Sequence, residues 1–528
     1  MEEKDKRIEK IFAEAAYDSP DVTHLLLAGQ GTRVSYAETY YRARCLAGAL
    51  QKRGVGFGDR VASFLYNTRE AYELYIACGL LGAITVAVNT QSKPRELKKL
   101  FADCEPKALI CSNFYLERMI GHVLPASVEV RVVTHLSENT GVAGWLNYDL
   151  LMQSAPCVHP VNQGGPKDPA VMIYSSGTTG EPKGILLSHQ ALIDNALLAS
   201  RVLGLNCTDR SLTLLPIFSS FGFAFDFLQM GLLRASVVIL PAFSETEALD
   251  AIERYRVTFL AGVPVMFSRL FTPSLIEARQ LDSLRLMDVG GGPVSPRLKS
   301  DLKKTLGVTV CESYGMTEIS PVASVQSLND DPESSSCGLP LPGFEVKVVD
   351  SGGEPVPRGK PGELLFQSPT FMLSYWNKPE QTAKTLAGGW LHSGDYGYRD
   401  EKGNIHILDR TKDMIVTNGF NVYPKEVENI IMELASVQSV AVVGIKDDVR
   451  GEQVFAFVEL HPGGHLDPSD VINYCDQHLA RFKVPREVIM IPEIPLTASG
   501  KIQRFKLREL ATQQQKEPGQ KHTESVGA

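Results

Sequence analysis

The sequence predicts an α/β protein with two domains of unequal size, and three observations support this prediction. Helix and strand patterns alternate up to about residue 336, short strands with Gly- and Pro-rich turns follow, and the region after residue 413 has its own strand and helix pattern. We therefore expect a large N-terminal domain of layered α/β subdomains that includes a β-rich part, and a small hinged α+β C-terminal domain. The predicted boundaries are 1–408 for the large domain, about 336–408 for its β-rich part, 409–413 for the hinge, 414–511 for the small domain and 512–528 for a disordered tail.

The composition is that of an ordinary globular protein. Of the 528 residues, 44% are hydrophobic and 22% charged, and 53 basic against 61 acidic residues give a formal net charge of −8. That balance lacks the excess of Lys and Arg that nucleic-acid binding requires. The longest apolar stretches, at 79–88 and 236–243, are shorter than the roughly 20 residues of a membrane-spanning helix. Nine cysteines without a C-x-x-C pair favour reduced thiols. We expect a cytoplasmic monomer or homodimer with no transmembrane segment and no nucleic-acid partner.

The helices and strands of the large domain follow from apolar spacing and from Gly-rich punctuation. Helices are predicted at 35–53, 69–81, 95–104, 188–203 and 245–255. Strands are predicted at 60–65, 83–88, 108–111 and 236–240. Since each strand is a short apolar run between helices, we expect buried parallel sheets.

Later segments change in character. Short strands at 345–349 and 362–366, separated by a Gly- and Pro-rich segment, predict the β-rich part. The small domain has strand and helix patterns at 426–434, 437–443, 455–460 and 468–479. From residue 512 the chain has too little apolar surface to pack, which predicts the disordered tail.

The segment 174–184, YSSGTTGEPKG, carries the sharpest chemical signal. It follows an apolar run at 170–173 and precedes a predicted helix. Glycines let backbone N–H groups approach an anion, the hydroxyls add donors, and Lys183 adds a compact positive charge, so the segment predicts a phosphate-binding loop. It is not the pattern G-x-x-x-x-G-K-[ST], because Lys183 follows a proline and precedes Gly184. A flexible linker is the alternative, but a linker gains nothing from the Thr-Thr pair, the proline and the lysine.

This segment resembles the phosphate-binding signature of the adenylate-forming enzymes, the superfamily of acyl- and aryl-CoA synthetases, firefly luciferase and peptide-synthetase adenylation domains. The resemblance recurs in the family's order along residues 30–510. Its further motifs are VGGGPV at 289–294, ESYGMTE at 312–318, HSGD at 392–395, DRTKD at 409–413, GFNVYPKEVE at 419–428 and PLTASGK at 495–501. So many motifs in one order make coincidence negligible.

The resemblance implies which residues contact the nucleotide. The ring of Tyr314 would stack on adenine, and Asp395 and Arg410 would bind the ribose, whose two hydroxyls a carboxylate can accept together. A core tyrosine and a turn aspartate are the plain alternatives. The implied ATP and AMP contacts are Ser175, Ser176, Gly177, Thr178, Thr179, Gly180, Lys183, Gly291, Gly292, Pro293, Glu312, Ser313, Tyr314, Gly315, Met316, Thr317, Asp395, Arg410 and Lys501.

The resemblance assigns catalysis to Lys501, Glu318 and Lys183. In the family's first step a carboxylate attacks the α-phosphorus of ATP and pyrophosphate leaves, so cations must balance the negative charge that builds there. Lys501 lies on a Gly-containing loop and can reach both the carboxylate and the bridging oxygens. Glu318 offers a hard oxygen ligand for Mg²⁺. A solvated surface lysine and a helix N-terminal glutamate are the alternatives for these two residues.

Members of the family that make thioesters work in two steps, and the resemblance implies the same here. An acyl-adenylate forms first, and a thiol, usually that of coenzyme A, then displaces AMP. Between the steps the small domain is expected to turn at the hinge residue Lys412 and to present the coenzyme A contacts Gly419, Phe420 and Asn421. ATP, Mg²⁺ and coenzyme A are therefore the expected cofactors and co-substrates.

The acyl pocket implied by the resemblance differs from that of several relatives. It comprises Phe218, Ser219, Phe221, Gly222, Gly262 and Gly290. Many acyl-CoA synthetases have histidine where this chain has Ser219. Amino-acid-activating domains have an aspartate near Phe221, where this chain has no carboxylate, and an unpaired buried ammonium is costly, so α-amino acids are disfavoured unless Asp226 takes that place. Alternating phenylalanines from 218 to 227 favour an apolar fatty or aryl acid, or else form part of the core.

An acyl-CoA synthetase that acts on a small-molecule carboxylic acid, either fatty or aryl, is the predicted function. An acid–AMP ligase that loads the phosphopantetheine of an acyl carrier protein has the same nucleotide motifs and stays open. A silent homologue that serves as a binding module is disfavoured by the intact Lys501, Glu318, Asp395 and Lys183.

Overall fold

The computed structural model describes most of the chain and divides it into two compact units. The described residues are 5–116, 124–135, 142–153, 156, 164–175, 183–292, 294–331, 334–410, 413–417, 420–447, 451–497 and 500–516. The first unit comprises Met1–Lys347, Leu365–Ser393 and Glu401–Ile405, and the second comprises Val348–Leu364, Gly394–Asp400 and His406–Ala528. Parts of the predicted β-rich segment therefore group with the second unit, and the division does not fall at residue 408.

Helices and strands alternate through the first 153 residues. The elements are α1 (Ile8–Asp18), β1 (Thr23–Leu27), β2 (Thr32–Ser35), α2 (Tyr36–Gln51), β3 (Arg60–Phe64), α3 (Arg69–Leu81), β4 (Ile84–Ala87), α4 (Pro94–Cys104), β5 (Ala108–Ser112), α5 (Asn113–Tyr115), β6 (Val130–Thr134), β7 (Leu146–Asn147) and α6 (Tyr148–Leu151). The helix α2 begins where the Ser35 hydroxyl accepts the Glu38 N–H, and α3 ends at Gly82, whose φ of 66° forms a left-handed cap. The predicted elements of this region are confirmed to within two residues at each end.

Residues 164–331 carry most of the candidate site. The elements are β8 (Pro169–Ser175), β9 (Lys183–Ser188), α7 (His189–Val202), β10 (Arg210–Leu212), α8 (Ser220–Gly222), a π-helix (Phe223–Gln229), α9 (Met230–Leu233), β11 (Ser236–Ile239), α10 (Glu245–Tyr255), β12 (Phe259–Gly262), α11 (Pro264–Leu270), α12 (Pro273–Ile276), β13 (Leu286–Gly290), α13 (Pro296–Leu306), β14 (Thr309–Gly315), a 3₁₀ helix (Thr317–Ile319) and β15 (Val322–Val325). The predicted helices at 188–203 and 245–255 and the predicted strand at 236–240 are confirmed.

Residues 334–516 complete the structure. The elements are β16 (Leu339–Pro340), β17 (Glu345–Val349), β18 (Gly362–Gln367), β19 (Ser374–Tyr375), α14 (Pro379–Thr385), a 3₁₀ helix (Ala387–Gly389), β20 (Leu391–Arg399), β21 (Ile405–Arg410), β22 (Ile415–Thr417), β23 (Phe420–Val422), α15 (Pro424–Ile431), β24 (Val437–Asp447), β25 (Gly451–Leu460), α16 (Pro468–His478), a 3₁₀ helix (Arg481–Lys483), β26 (Glu487–Met490) and α17 (Arg504–Lys516). Leu507 and Ala511 of α17 are fully buried, so the helix packs and continues to Lys516. The prediction that disorder begins at residue 512 is wrong, and residues 517–528 lie outside the described part of the chain.

A nine-stranded sheet lies in the first unit, in the order β16-β15-β14-β13-β12-β10-β11-β1-β2. The strands from β14 to β1 are parallel, and the outer pairs are antiparallel. The register pairs Gly262 with Val289 and Gly290 with Ser313. The carboxyl ends of β12, β13 and β14 therefore lie side by side, at the sheet edge where α/β proteins bind ligands.

An eight-stranded sheet, in the order β19-β9-β8-β4-β3-β5-β6-β7, also belongs to the first unit. The strands from β8 to β7 are parallel, whereas β9 runs antiparallel to β8 and β19. Every residue of β4 and β5 is buried, which explains why their sequences are mostly apolar. The predicted α/β class with largely parallel sheets is confirmed.

Two smaller sheets complete the fold. One has the order β17-β18-β20-β21, and the other has β23-β22-β25-β24 with β26 beside β25. In the second unit, α15 and α17 pack on β24, and α16 packs on β26. Within the described ranges, no helix has the length and apolarity needed to cross a membrane.

Candidate functional site

The ends of three neighbouring parallel strands form one side of the candidate site. The strands β12, β13 and β14 end at Gly262, Gly290 and Gly315. A Cβ atom at Gly290 would lie 2.7 Å from Oγ of Ser313 and 3.4 Å from Cε1 of Phe221. A Cβ atom at Gly315 would lie 1.9 Å from a backbone oxygen. Only glycine fits these two positions, so the strand ends stay close to their neighbours and carry no side chain into the space beyond them.

We call the segment 216–222, which holds four of the residues predicted for the acyl pocket, the acyl side of the candidate site. The Ser219 hydroxyl donates to the backbone oxygen of Pro216 at 2.7 Å and accepts the N–H of Gly222 at 3.1 Å. Ser219 therefore caps the N-terminus of α8. The hydroxyls of Ser220 and Thr317 are 2.9 Å apart and share a hydrogen bond. This bond joins the acyl side to the motif 312–318.

The alternating phenylalanines divide into two groups. Phe223, Phe225 and Phe227 lie in the π-helix with exposures of 0–1%, so they belong to the core. Phe221 is partly exposed, and its ring meets that of Phe225 edge-on with centroids 4.8 Å apart. Phe218 is 9% exposed. Of the predicted aromatic pocket, Phe218 and Phe221 remain candidates.

Glu318 lies in the 3₁₀ helix that follows β14. The hydroxyl of Tyr375 donates to Oε1 of Glu318 at 2.8 Å. Nζ of Lys183 lies 5.3 Å from the centroid of the Tyr375 ring. Tyr375 thus contacts both Glu318, the predicted metal ligand, and Lys183 of the phosphate-binding segment. The sequence motifs do not include Tyr375.

A buried amide fixes the backbone that follows Glu318. Nδ2 of Asn195 donates to the backbone oxygens of Ile319 and Val322 at 3.0 and 2.8 Å, and its Oδ1 accepts the N–H of Val322 at 3.0 Å. The hydroxyl of Thr370 also donates to the oxygen of Ile319, at 2.9 Å. Because Asn195 is fully buried, these bonds fix the conformation of the turn at residues 319–322. After Tyr375, Asn195 is the second residue outside the sequence motifs that helps to place Glu318.

The carboxylate of Glu312 faces the interior. Its Oε2 accepts from Nζ of Lys299 at 2.8 Å, and its Oε1 accepts from Sγ of Cys337 at 3.4 Å. Nζ of Lys299 also donates to the backbone oxygen of Ser334 at 2.6 Å. Lys299 and Glu312 are 0% and 2% exposed. The side chain of Glu312 thus forms a buried ion pair between β14 and α13, and only the backbone of this residue is left to make the predicted nucleotide contact.

A second buried carboxyl group lies beside Ser313. The Ser313 hydroxyl donates to Oδ2 of Asp288 at 2.8 Å, and Asp288 is fully buried. Burial, together with the charge of Glu312, raises the pKa of Asp288 to about 7, although the Ser313 hydrogen bond opposes the shift. The side chain of Ser313 thus bonds to Asp288, and its predicted nucleotide contact stays a prediction.

The phosphate-binding segment connects two antiparallel strands. Ser175, the last residue of β8, pairs with Lys183, the first residue of β9. Residues 176–180, predicted to bind phosphate, lie outside the described residues. The segment leads into β9, and the predicted helix after it, α7, begins only at His189. The charge of a phosphate bound there would be balanced by Lys183.

The predicted adenine contacts surround the ends of β13 and β14. The Tyr314 ring packs against Phe366 with centroids 5.8 Å apart and stays partly exposed. Gly291, with a φ of 75°, and Gly292 are exposed directly after β13. Pro293 lies outside the described residues. The ring of Tyr314 and these two glycines border the same strand ends as the acyl side.

The predicted ribose contacts belong to the second unit. Asp395 lies in β20 after Gly394, whose φ is 68°, and is 3% exposed. Arg410 ends β21, and its side chain lies outside the described part of the structure. The carboxylate of the preceding residue, Asp409, accepts the N–H of Lys425 at 3.2 Å. This bond ties β21 to the start of α15.

The predicted hinge and coenzyme A contacts are only partly described. Lys412 and Gly419 lie outside the described residues, as does the side chain of Asn421. The ring of Phe420 is 54% exposed and stacks on Phe482 with centroids 4.6 Å apart. An exposed stacked pair of this kind leaves one aromatic face available to a ligand.

Lys501 lies on a tight turn of the second unit. The N–H of Thr497 donates to the backbone oxygen of Lys501 at 2.7 Å, and the N–H of Lys501 donates to the Thr497 hydroxyl at 3.0 Å. Gly500 adopts a φ of 76° to close the turn. The side chain of Lys501 is exposed. The turn therefore presents this lysine on the surface from a fixed backbone.

Glu318 fits the kind of magnesium ion that a nucleotide brings with it. Among the described residues there is no group of three or more His, Cys, Asp or Glu side chains that could enclose a metal by themselves. Mg²⁺ commonly uses one or two carboxylates and completes its shell with phosphate oxygens and water. A single oriented carboxylate beside the phosphate-binding segment matches that mode of binding.

Comparison with known proteins finds related sequences along nearly the whole chain. The profile of the AMP-binding enzyme family matches residues 12–376, and that of the AMP-binding enzyme C-terminal domain matches residues 426–501. An indoleacetate–CoA ligase of Aromatoleum aromaticum is 34% identical over 479 residues, which are 90% of this chain and 93% of that protein. A fatty acid–[acyl-carrier-protein] ligase of Streptomyces coeruleorubidus is 32% identical over 496 residues, which are 91% and 92% of the two chains.

A solved structure with a similar fold is that of the anthranilate–CoA ligase AuaEII in complex with anthranoyl-AMP. The TM-score is 0.88 and the sequence identity 29%. The similarity covers 96% of this chain and 97% of that chain.

Proposed function

Because this chain belongs to the AMP-binding enzyme family, among the AMP-forming acid–CoA ligases, we propose that it activates a carboxylic acid with ATP and transfers the acyl group to coenzyme A. One observation carries the proposal. Thr317 bonds to Ser220 on the acyl side, and the next residue, Glu318, bonds to Tyr375 beside Lys183. Adjacent residues thus connect the proposed acid side with the proposed phosphate side, which supports the proximity that attack of one on the other would require.

In the proposed first step a carboxylate oxygen bonds to the α-phosphorus, and the bond to the bridging oxygen of pyrophosphate breaks. Both reactants are anions, so cationic groups lower the barrier. Lys183, at the start of β9, would balance charge on the phosphates, and Lys501 would hold the carboxylate and the α-phosphate together. Magnesium, when bound at Glu318, would neutralise part of the phosphate charge.

In the proposed second step a thiolate attacks the acyl carbon of the adenylate and AMP leaves. The second unit would turn at Lys412 between the steps and present Gly419, Phe420 and Asn421 to coenzyme A. The exposed face of Phe420 supports this assignment, because an aromatic face can cover the pantetheine or stack on a base.

The acid is proposed to be apolar, either aryl or fatty. Phe221 and Gly290 border the acyl side, and together they give an aromatic wall next to a position without a side chain. Asp226, the carboxyl group nearest to Phe221 in the sequence, is 1% exposed and buried in the core. We therefore keep α-amino acids outside the proposed substrate class.

A second candidate is an acid–AMP ligase that loads an acyl carrier protein. The relative of 32% identity that is described as a fatty acid–[acyl-carrier-protein] ligase favours it. Both candidates share the adenylation step, so they differ only in the thiol that accepts the acyl group.

The test is an acid panel with two acceptors. Purified protein, ATP and Mg²⁺ are incubated with aryl acids and with fatty acids of several lengths, and either coenzyme A or a phosphopantetheinylated carrier protein is added. Mass spectrometry follows AMP and the thioester. We expect acyl-CoA from at least one apolar acid. Thioester on the carrier protein alone would favour the second candidate, and absence of acid-dependent AMP with every acid would contradict both.

A further inference from the structure

We propose that Tyr375 is a positioning residue for adenylation, which orients the Glu318 carboxylate for the metal and holds Lys183 beside it. This inference rests on the proposed function and adds a residue that none of the nucleotide motifs contains. Tyr375 is 57 positions beyond Glu318 in the chain, yet its hydroxyl reaches Oε1 of that residue at 2.8 Å.

Backbone pairing between β19 and β9 fixes the position of Tyr375. Tyr375 lies in β19, which pairs with β9 so that Tyr375 is opposite Ile185. The N–H of Trp376 donates to the backbone oxygen of Gly184 at 2.7 Å, and the N–H of Leu373 donates to that of Leu186 at 2.8 Å. Since β9 begins at Lys183, the backbone of the tyrosine is tied directly to the end of the phosphate-binding segment.

The residues just before β19 also bond to the backbone of Glu318. The N–H of Met372 donates to the backbone oxygen of Glu318 at 2.8 Å. The side chain of Tyr375 is 7% exposed and has little freedom to leave this place. Residues 372–375 therefore hold Glu318 at two points: Met372 bonds to its backbone and Tyr375 bonds to its carboxylate.

The hydroxyl of Tyr375 is the donor in this bond, and a carboxylate oxygen of Glu318 is the acceptor. A donor on Oε1 fixes the rotation of the carboxylate and leaves Oε2 for a metal. Partners of this kind behind a metal ligand typically change metal affinity or activity by about 10- to 100-fold when they are removed.

The ring of Tyr375 has a separate function. Nζ of Lys183 lies 5.3 Å from the ring centroid, within the range of a cation–π attraction. One side chain thus places a carboxylate through its hydroxyl and an ammonium through its face. Tyr375 thus keeps the Glu318 carboxylate, which would bind the metal, close to the Lys183 ammonium, which would bind the phosphates.

The variant Tyr375→Phe separates these two contacts, because it keeps the ring and removes only the hydroxyl. Calorimetric titration of the full-length protein with ATP, in the absence of any acid, is carried out once with Mg²⁺ and once with EDTA. We expect the affinity for ATP with Mg²⁺ to fall by about 10- to 100-fold and the affinity in EDTA to stay unchanged. With Mn²⁺ in place of Mg²⁺, the electron paramagnetic resonance spectrum of the bound metal is expected to change.

Tyr148→Phe is the matched control. The Tyr148 hydroxyl donates to Oε2 of buried Glu73 at 2.5 Å, and the helices α6 and α3 that carry this pair hold none of the candidate site residues. This variant loses the same kind of bond and some stability, and its affinity for ATP with Mg²⁺ is expected to equal that of the wild type.

The double variant Tyr375→Phe/Glu318→Gln supplies the second test. If the tyrosine acts through the carboxylate, adding Tyr375→Phe to Glu318→Gln weakens metal-dependent binding no further. Wild-type affinity in Tyr375→Phe, or an equal loss with Mg²⁺ and with EDTA, would overturn the positioning role. Metal-dependent ATP binding that Tyr375→Phe weakens, in a protein that forms no thioester from any acid, would instead leave the positioning role standing and overturn the proposed function.

Discussion

Replacing Asp226 by asparagine is expected to change how the stability of the first unit depends on pH. Asp226 lies in the π-helix at 1% exposure, and neither of its carboxylate oxygens has a hydrogen-bond partner among the described residues. Burial raises the pKa of Asp226 from 3.8 to about 8, opposed only by the nearby hydroxyl of Ser211. The carboxyl group is therefore protonated in the folded state at pH values where it is ionised in the unfolded chain.

The sign and size of the effect follow from proton linkage. Between pH 4 and pH 8 the folded state binds more protons than the unfolded state, so the free energy of unfolding falls as the pH rises. One such group contributes about 1.4 kcal/mol per pH unit, or about 2.7 kcal/mol between pH 5 and pH 7. Asparagine does not titrate. The stability of Asp226→Asn relative to the wild type is therefore expected to increase by that amount over the same interval.

Urea unfolding followed by tryptophan fluorescence measures this difference in the free energy of unfolding for the first compact unit, which contains Asp226. The three tryptophans, Trp145, Trp376 and Trp390, all belong to the first unit. Asp288 and Glu73, whose pKa values burial also raises to about 7, titrate in both proteins and cancel in the comparison.

The matched control is Asp149→Asn, at an exposed position of α6, whose effect should not vary between pH 5 and pH 7. A stability difference between Asp226→Asn and the wild type that stays constant over these two pH units would refute the reasoning.

Three further substitutions test the site. Gly290→Ala would place a methyl group 2.7 and 2.9 Å from two oxygens of Ser313, so the ends of β13 and β14 must shift and the free energy of unfolding should fall by about 1–3 kcal/mol; unchanged stability in urea unfolding would contradict the close fit at Gly290. Lys299→Met would leave the buried Glu312 unpaired and cost about 3–5 kcal/mol in urea unfolding, most of which Lys299→Met/Glu312→Gln should restore; no recovery would contradict the ion-pair role. Lys501→Ala should abolish pyrophosphate release and spare thioester formation from supplied acyl-adenylate, whereas Lys506→Ala, an exposed lysine of α17, should change neither; equal loss of both steps in Lys501→Ala would contradict its role.

Elements that depend on local signals could be predicted from the sequence. The helix at 69–81 was predicted with the bounds that α3 has, because its apolar spacing is clear and Gly82 provides a left-handed end. The strand β9 was missed because its six residues lie between the phosphate-binding segment and α7. Its apolar run is too short to be separated from the start of that helix.

Contacts between distant residues could not be predicted in the same way. Lys299 and Glu312 are 13 positions apart, on α13 and β14, and no sequence motif indicates that their side chains pair in the interior. Tyr375 reaches Glu318 only because β19 adds to the edge of the eight-stranded sheet next to β9. The π-helix was equally hidden, since alternating phenylalanines fit either a pocket or a core.

The motifs predicted the kinds of residues at the site better than their orientation. Gly290 and Gly315 lie at the ends of adjacent strands, as a ligand site in an α/β sheet requires. Ser313 and Glu312 belong to the same motif, yet their side chains bond to Asp288 and Lys299 in the interior. Sequence spacing gives the position along a strand, whereas the direction of each side chain depends on which face the neighbouring strands and helices cover.

The most direct test of the proposed acid activation is exchange between labelled pyrophosphate and ATP. The protein is incubated with ATP, Mg²⁺, radiolabelled pyrophosphate and one apolar acid at a time, without coenzyme A. We predict that label enters ATP only when a suitable aryl or fatty acid is present, because only a reversible acyl-adenylate connects the two pools. Folded protein that gives no exchange above the acid-free background with any acid would contradict the account.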